Sequence, residues 1–503
     1  MRVMPTSRNL ASALNGSSLS VPAASQGEER GEKPSFGGDS AYSTVPAWVW
    51  ALFVVLAALG VFSPNPGLTC FAIILLPVCA QFLWRRGEPP VLLFACGMQW
   101  LQASAAIFYY NYYHVTLEEV FGGPQLDLAT WLSLLGVLVV ALGMRLGLLG
   151  KRHSESSKLV SEALSIDVGK CFLAYMLSLP LCVAASFFAF AIPSLSQAIL
   201  AVAAIKWVLL FVLGYTVLEQ RRGFLWLAIA VVLEFGIGIL GFFASFKSVF
   251  FVLLVLVLSS RWALQIRRLI AIGAIATILL ALGIVWTAIK SEYRNFLNQG
   301  SGMQEINVSI AEQLSEMENL ITGLSWEQAA AGLDNLINRT SYVQFFALTI
   351  RNVPENLPYE DGALWMGAVK HVFMPRLFFP KKAVLDDSAI TSRYTGTDVA
   401  GADQGASIGI GYMAESYVDF GPVKMFVPIF IFGLFCGLIY RGFVLHTSGK
   451  LLGAGIASAI LIFGAYTIET SNVKMLGGNV SITLVMCFMY RFLGRQFMRS
   501  LQN

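Results

Sequence analysis

Twelve stretches of mainly apolar residues follow one another along this sequence, and one long polar interruption separates the ninth from the tenth. Most are close to the roughly 20 residues that a helix needs to cross a bilayer. They fall at about 46–62, 67–84, 90–109, 128–150, 171–192, 196–218, 223–244, 246–260, 269–289, 423–445, 451–469 and 476–492. Backbone polar groups in hydrocarbon must bond within their own segment, so the spans are helical and the fold class is an all-α integral membrane protein. Composition agrees: 56% of residues are hydrophobic and 13% charged, far below the quarter or so charged in soluble domains.

The cations follow a pattern. Arg85 and Arg86, Lys151 and Arg152, Arg221 and Arg222, Arg261 with Arg267 and Arg268, Arg441 with Lys450, and Arg491 with Arg495 and Arg499 fall in every second short loop. The alternate loops are poor in cations, as in the acidic stretch holding Glu118, Glu119 and Asp127. The positive-inside rule then places both termini in the cytoplasm and residues 290–422 outside. Four regions result: a disordered cytoplasmic tail at 1–45, nine membrane helices at 46–289, the outer loop at 290–422, and three helices with a basic tail at 423–503. The net charge of +4 is topological and leaves no footprint for nucleic acid. All seven cysteines lie in apolar segments and read as core residues. Lys206 and Glu234 sit well inside spans; they are expected to pair across adjacent helices, with a headgroup cavity as the other reading.

An interruption of this length is uncommon between helices and usually functional. Within it Ile310, Leu314, Met317, Ile321 and Leu324 recur at helical spacing with Glu312, Glu316 and Glu318 around them, which predicts an amphipathic helix on the membrane surface or on helix ends. Leu333, Leu336, Ile337, Val343, Phe345 and Phe346 suggest a second. No nucleotide loop or zinc-protease motif is present, and no metal or cofactor is expected. Of the histidines, only His114 and His371 face outward. The loop is rich in cations: Arg339, Arg351, Arg376, Lys381, Lys382 and Arg393, with Lys370 nearby. Such cations can form an ordinary solvated face. Their interleaving with Phe373, Phe378, Phe379 and Tyr394 instead suits a lipid-linked, sugar-bearing phosphate, since guanidinium forks match phosphate oxygens. Glu415 and Asp419, at i and i+4, share one helix face and offer a general base; alternatively Asp419 caps the helix before Gly421-Pro422 and Glu415 stays wet. Asp386 and Asp387 could bind sugar hydroxyls or partner the cations.

Three runs carry a resemblance: RNVPENLPYEDG from Arg351 to Gly362, MPRLFFPKK from Met374 to Lys382, and ESYVDFG from Glu415 to Gly421. They resemble the bacterial oligosaccharide repeat-unit polymerases, the Wzy-type O-antigen and exopolysaccharide polymerases, which also have about a dozen spans and one large periplasmic loop late in the chain. Arg351 and Gly362 match an Arg-x10-Gly spacing described for such loops; Ala383 departs from the proline common after the lysine. The resemblance implies a GT-C-like glycosyltransferase in the bacterial inner membrane, with undecaprenyl-diphosphate-linked oligosaccharide as donor and another lipid-linked repeat unit as acceptor. Growing polysaccharide, membrane lipids, a chain-length regulator and a flippase are the implied partners. On this reading Arg376 and Arg393 with Lys381 or Lys382 clamp the diphosphate, Arg339 or Arg351 contacts sugar or a second phosphate, and His371 and Tyr394 line the substrate site. Glu415, then Asp419, is the base. The rival readings are an O-antigen ligase, which commonly depends on a loop histidine, a polysaccharide flippase or exporter, and a scaffold without chemistry.

Overall fold

The computed structural model describes residues 45–85, 87–149, 156–189, 195–240, 245–259, 266–301, 306–374, 379, 381–382, 385–401 and 406–502, with backbone only at 266–269. Residues 1–44, assigned above to a tail, and Arg376 lie outside the described residues.

The chain opens with α1 (Ala47–Gly60), α2 (Pro66–Leu83), α3 (Val91–Tyr112), α4 (Leu117–Phe121), α5 (Gln125–Gly147) and α6 (Ser156–Ser165). It continues through α7 (Val168–Phe188), α8 (Ser196–Ala203), α9 (Ile205–Gln220), α10 (Phe224–Leu240), α11 (Lys247–Ser259) and α12 (Ile266–Leu297). The polar region holds α13 (Ile310–Thr322), α14 (Trp326–Thr340), α15 (Val343–Asn352), α16 (Ala363–Phe373), α17 (Asp387–Thr395) and α18 (Tyr412–Lys424). Last come α19 (Phe426–Tyr440), α20 (Lys450–Gly464), α21 (Asn472–Met489) and α22 (Arg495–Leu501), with π-helical turns extending α19 and α21. Among the described residues there is no strand, only the isolated bridge of Ile166 with Gln502. Among the described residues, eight helical segments are long and apolar enough to cross a membrane: 66–83, 91–112, 125–147, 168–188, 196–220, 270–297, 426–445 and 472–501. Helices α1, α10, α11 and α20 are apolar but shorter.

Local chemistry sets several helix starts. Thr116 with Glu119, Ser309 with Glu312, and Ser325 with Gln328 form capping boxes at α4, α13 and α14, each satisfying otherwise orphaned N–H groups. The helix expected to end at Ile289 runs on to Leu297, because Tyr293 and Leu297 are buried against Met317 of α13.

Helices α5 and α19 meet backbone to backbone. A Cβ on Gly433 would lie 2.3 Å from the Val140 carbonyl, and one on Gly437 2.4 Å from that of Met144. Gly143 and Gly147 answer from α5, at 2.4 Å from the Phe430 carbonyl and 2.8 Å from Gly437. Each helix thus offers a glycine pair four residues apart, the small-residue spacing that permits close packing where no hydrophobic drive between helices exists.

Hydrogen bonds define the two ends of the bundle. At one, Glu162 of α6 accepts from the Lys450 and Leu451 N–H groups at 2.9 and 2.8 Å. Gln220, ending α9, donates to the carbonyls of Ala163 and Ile166, and the Asp167 N–H reaches the Leu501 carbonyl. At the other end Gln99 of α3 donates to the Ala465 carbonyl at 2.7 Å and accepts from Tyr412 at 2.7 Å. Gln102, one turn on, accepts from the Ile468 N–H at 2.8 Å. These two glutamines bind the α20–α21 turn and the start of α18 to the bundle. Midway, Lys206 and Glu234 form the expected pair, 2.6 Å apart, with the Tyr175 hydroxyl on the other carboxylate oxygen at 3.1 Å.

Candidate functional site

Helix α18 is a buried strut through the polar region. It starts at Gly411, whose φ of 92° and 2.4 Å clearance from the Ile468 carbonyl to any added Cβ admit only glycine. It ends at a kink on Gly421 (φ 70°) before Pro422. Between them Glu415 is 4% and Asp419 1% exposed. The Glu415 carboxylate accepts from the Asn472 N–H at 2.7 Å, at the first turn of α21. Burial first, then the charges of Asp387 and Asp419, push its pKa from 4.5 up to about 8, against the opposing Asn472 bonds. The Asn472 backbone N–H and carboxamide both lie beside that carboxyl and favour its ionised form.

Asp387, buried at the start of α17, pairs with Lys474 at 2.8 Å and accepts from Ser471 at 3.2 Å. Lys474 also reaches Ser407 at 2.7 Å. Asp386 caps α17 through the Ala389 N–H. The Tyr342 hydroxyl donates to the Gly409 carbonyl. Its phenol is pushed up by burial and by the carboxylates of Glu469, Asp387 and Glu415, with Arg339 pulling the other way. Tyr342 therefore feels both the acids and a cationic group, for the charge of Arg339 also acts on Lys290 and Arg294 at the C-terminal end of α12. No carboxylate pairs with Lys290 or Arg339 among the described residues. Like charges held together in this way favour an anion between them.

The residues expected from sequence divide into groups. Glu415 and Arg339 are both near enough for their charges to act on the Tyr342 phenol, in opposite directions. Asp419 accepts from the Leu364 and Trp365 N–H groups at 2.9 and 2.6 Å, so it caps α16; burial raises its pKa and those bonds oppose the rise. Arg393 and Tyr394 converge on Glu360, at 2.9 and 2.7 Å. Arg351 is committed to Phe121, donating to its carbonyl at 2.8 Å and lying 4.0 Å from its ring centre. Lys382 donates to the His371 carbonyl near the end of α16, while Lys381 is exposed. Lys290, Arg294, Tyr342, Asn472 and Lys474 were missed. The signal in sequence was Lys474, a cation on the side of the membrane that the loop rule leaves poor in them.

Below Asp419, Trp365, Val369, Val372 and Phe373 of α16 face Ile431 and Phe435 of α19 and Leu476 and Val480 of α21 across a wholly apolar hollow of about 180 Å³. Leu476 lies about one helical turn beyond Asn472. Among the described residues no group of His, Cys, Asp and Glu could hold a metal ion.

A family model described as a domain of unknown function (DUF8712) matches residues 137–470, more than half of the 503-residue chain. The chain belongs to this family. The DUF8712 region includes Lys290, Arg294, Arg339, Tyr342, Asp387, Glu415 and Glu469, and stops just short of Asn472 and Lys474. No curated protein and no solved structure matches the chain.

Proposed function

We propose that this DUF8712 protein is a polysaccharide polymerase. It transfers a glycan from undecaprenyl diphosphate to a sugar hydroxyl of another lipid-linked repeat unit, at the periplasmic face of a bacterial inner membrane. On this reading all twelve apolar helices cross the membrane in a GT-C-like arrangement, with both termini cytoplasmic. What supports it most is that the charges of two groups both act on Tyr342: a cation cluster in which Lys290 and Arg339 have no carboxylate partner among the described residues, and the buried carboxylates around Glu415. The apolar hollow about one turn further along α21 gives a lipid chain a place to lie.

The chemistry balances with these groups alone. The acceptor hydroxyl oxygen attacks the anomeric carbon, the bond from that carbon to the diphosphate oxygen breaks, and its electron pair leaves on the diphosphate. Lys290, Arg294 and Arg339 stabilise the departing charge, and ionised Glu415 takes the hydroxyl proton. A proton acceptor titrating near 8 is a stronger base than an ordinary carboxylate and still partly ionised near neutrality. An exporter calls for charged residues along a pathway through several helices, and Lys206 and Glu234, the two intramembrane candidates, pair with each other, which favours the polymerase reading. The test is reconstitution of the purified protein with lipid-linked repeat units alone. A ladder of lengths is expected; turnover of the donor without a ladder would point to ligation, and no turnover would overturn the reading. Arg339→Ala should lower the rate by about 100- to 1000-fold, as loss of a charge-stabilising donor does.

A further inference from the structure

A second hollow, of about 230 Å³, opens at the far end of the bundle. Helices α20 and α21 connect the two ends: the first turn of α21 carries Asn472 and Lys474, whereas the hollow lies where α20 begins and α21 passes into α22. Arg495 and Arg499, one helical turn apart, line it together with Tyr490 and Ser448. The Tyr490 hydroxyl already accepts from the Gly449 N–H at 3.0 Å and lies 3.3 Å from the Ser448 hydroxyl, so the wall is pre-ordered. Glu162 is the acid in the lining, and each of its oxygens is engaged by a backbone N–H of α20. Neither arginine pairs with a carboxylate among the described residues. Beside the hollow the same helix exposes Phe488, Phe492 and Leu493 at 64%, 61% and 53%, a surface made for acyl chains.

We propose that this hollow binds the phosphodiester of a membrane phospholipid, held by the Arg495 and Arg499 guanidinium groups and the Tyr490 and Ser448 hydroxyls. Guanidinium forks suit phosphate oxygens, and a cation pair facing one ligand from a helix leaving the bilayer meets headgroups at their own level. The site is independent of the outer one and of the reaction assigned to it. A free phosphate ion has the same chemistry, but only a lipid also uses the apolar flank.

The full chain, purified in a non-ionic detergent and stripped of lipid, is titrated with phosphatidylglycerol, with phosphatidylethanolamine and separately with inorganic phosphate, and adducts are read by native mass spectrometry. One phospholipid per chain is expected. Replacing both arginines with glutamine (R495Q with R499Q) should weaken it about ten- to a hundredfold, the worth of charged hydrogen bonds. Arg491→Gln, which removes a charge from the same helix but outside the hollow, should leave the affinity unchanged. Equal lipid retention by wild type and the double variant, an equal loss in Arg491→Gln, or binding of inorganic phosphate without lipid would overturn the proposal. If the double variant is not monodisperse, Arg499→Lys carries the test: it keeps the charge but loses the fork, so lipid binding should weaken, and undiminished binding would overturn it.

Discussion

Glu415 is where burial and chemistry pull against each other. Below about pH 4.5 its carboxyl is protonated in folded and unfolded chains alike; between there and about 8 the folded chain keeps a proton that the unfolded chain has released. Folding stability from this group is therefore full at low pH and declines as pH rises through the folded value, with a slope of at most about 1.4 kcal/mol per pH unit. Glu415→Gln, a mimic of the protonated form, should flatten that decline, so that thermal unfolding above pH 8 occurs at a higher temperature than in wild type. Polymer formation should be lost at every pH. A variant that is stabilised yet fully active would remove Glu415 from the reaction. Asp419 behaves differently, since its two oxygens are spent on the α16 N-terminus. Asp419→Ala should cost about 1–2 kcal/mol of stability, as loss of a cap does, measurable as a lower midpoint in denaturation. The spacing of these two acids was legible, because i and i+4 on one helix is a local property. Their division of labour was not, because the Asn472 and Leu364 N–H groups that decide it come from elsewhere in the chain.

At the scale of elements, sequence periodicity located the helices well and their faces less well. The stripe forms α13 from Ile310 as far as Thr322 and leaves Leu324 beyond its end, and Met317 packs on α12 while Ile310, Leu314 and Ile321 stay exposed. The apolar run predicts that α12 ends near Ile289, but packing by Tyr293 and Leu297 carries it further and brings Lys290 and Arg294 onto one helix. The cation cluster was hidden for that reason: its members come from α12 and α14, and only tertiary packing joins them. The α5–α19 contact is equally non-local, yet its two glycine pairs are plain in the sequence once the helices are known. Gly433→Val should push the two helices apart, since its Cβ begins 2.3 Å from the Val140 carbonyl and backbone cannot yield cheaply. Sharply reduced thermal stability in detergent is the expected result, and Gly442→Val, where a Cβ meets nothing within 4 Å, is the control.

For the whole molecule, the alternation of cations among short loops is the argument for orientation, and the structure bears on it by fixing which loops share an end. The α5–α7 connection, the end of α9, the start of α20 and the last helix are bonded to one another, and this end carries Arg221, Arg222, Lys450, Arg495 and Arg499. The end holding Glu415 is also cationic through Lys290, Arg339, Arg351, Arg393 and Lys474, so a simple charge count would be ambiguous. Most of that charge lies in or beside the long polar region, and long loops translocate regardless of their charge. Short loops should therefore decide, placing the Glu415 end outside. With the exposed Cys487 changed to serine, cysteines introduced at exposed Glu355 and Ser448 test this with a membrane-impermeant maleimide. Glu355→Cys should be labelled once the outer membrane is made leaky, and Ser448→Cys only after the inner membrane is broken. The reverse pattern would put the carboxylates and their cations beside cytoplasmic nucleotides, where a donor carried on a lipid diphosphate is no longer required, and the polymerase reading would fall with the orientation.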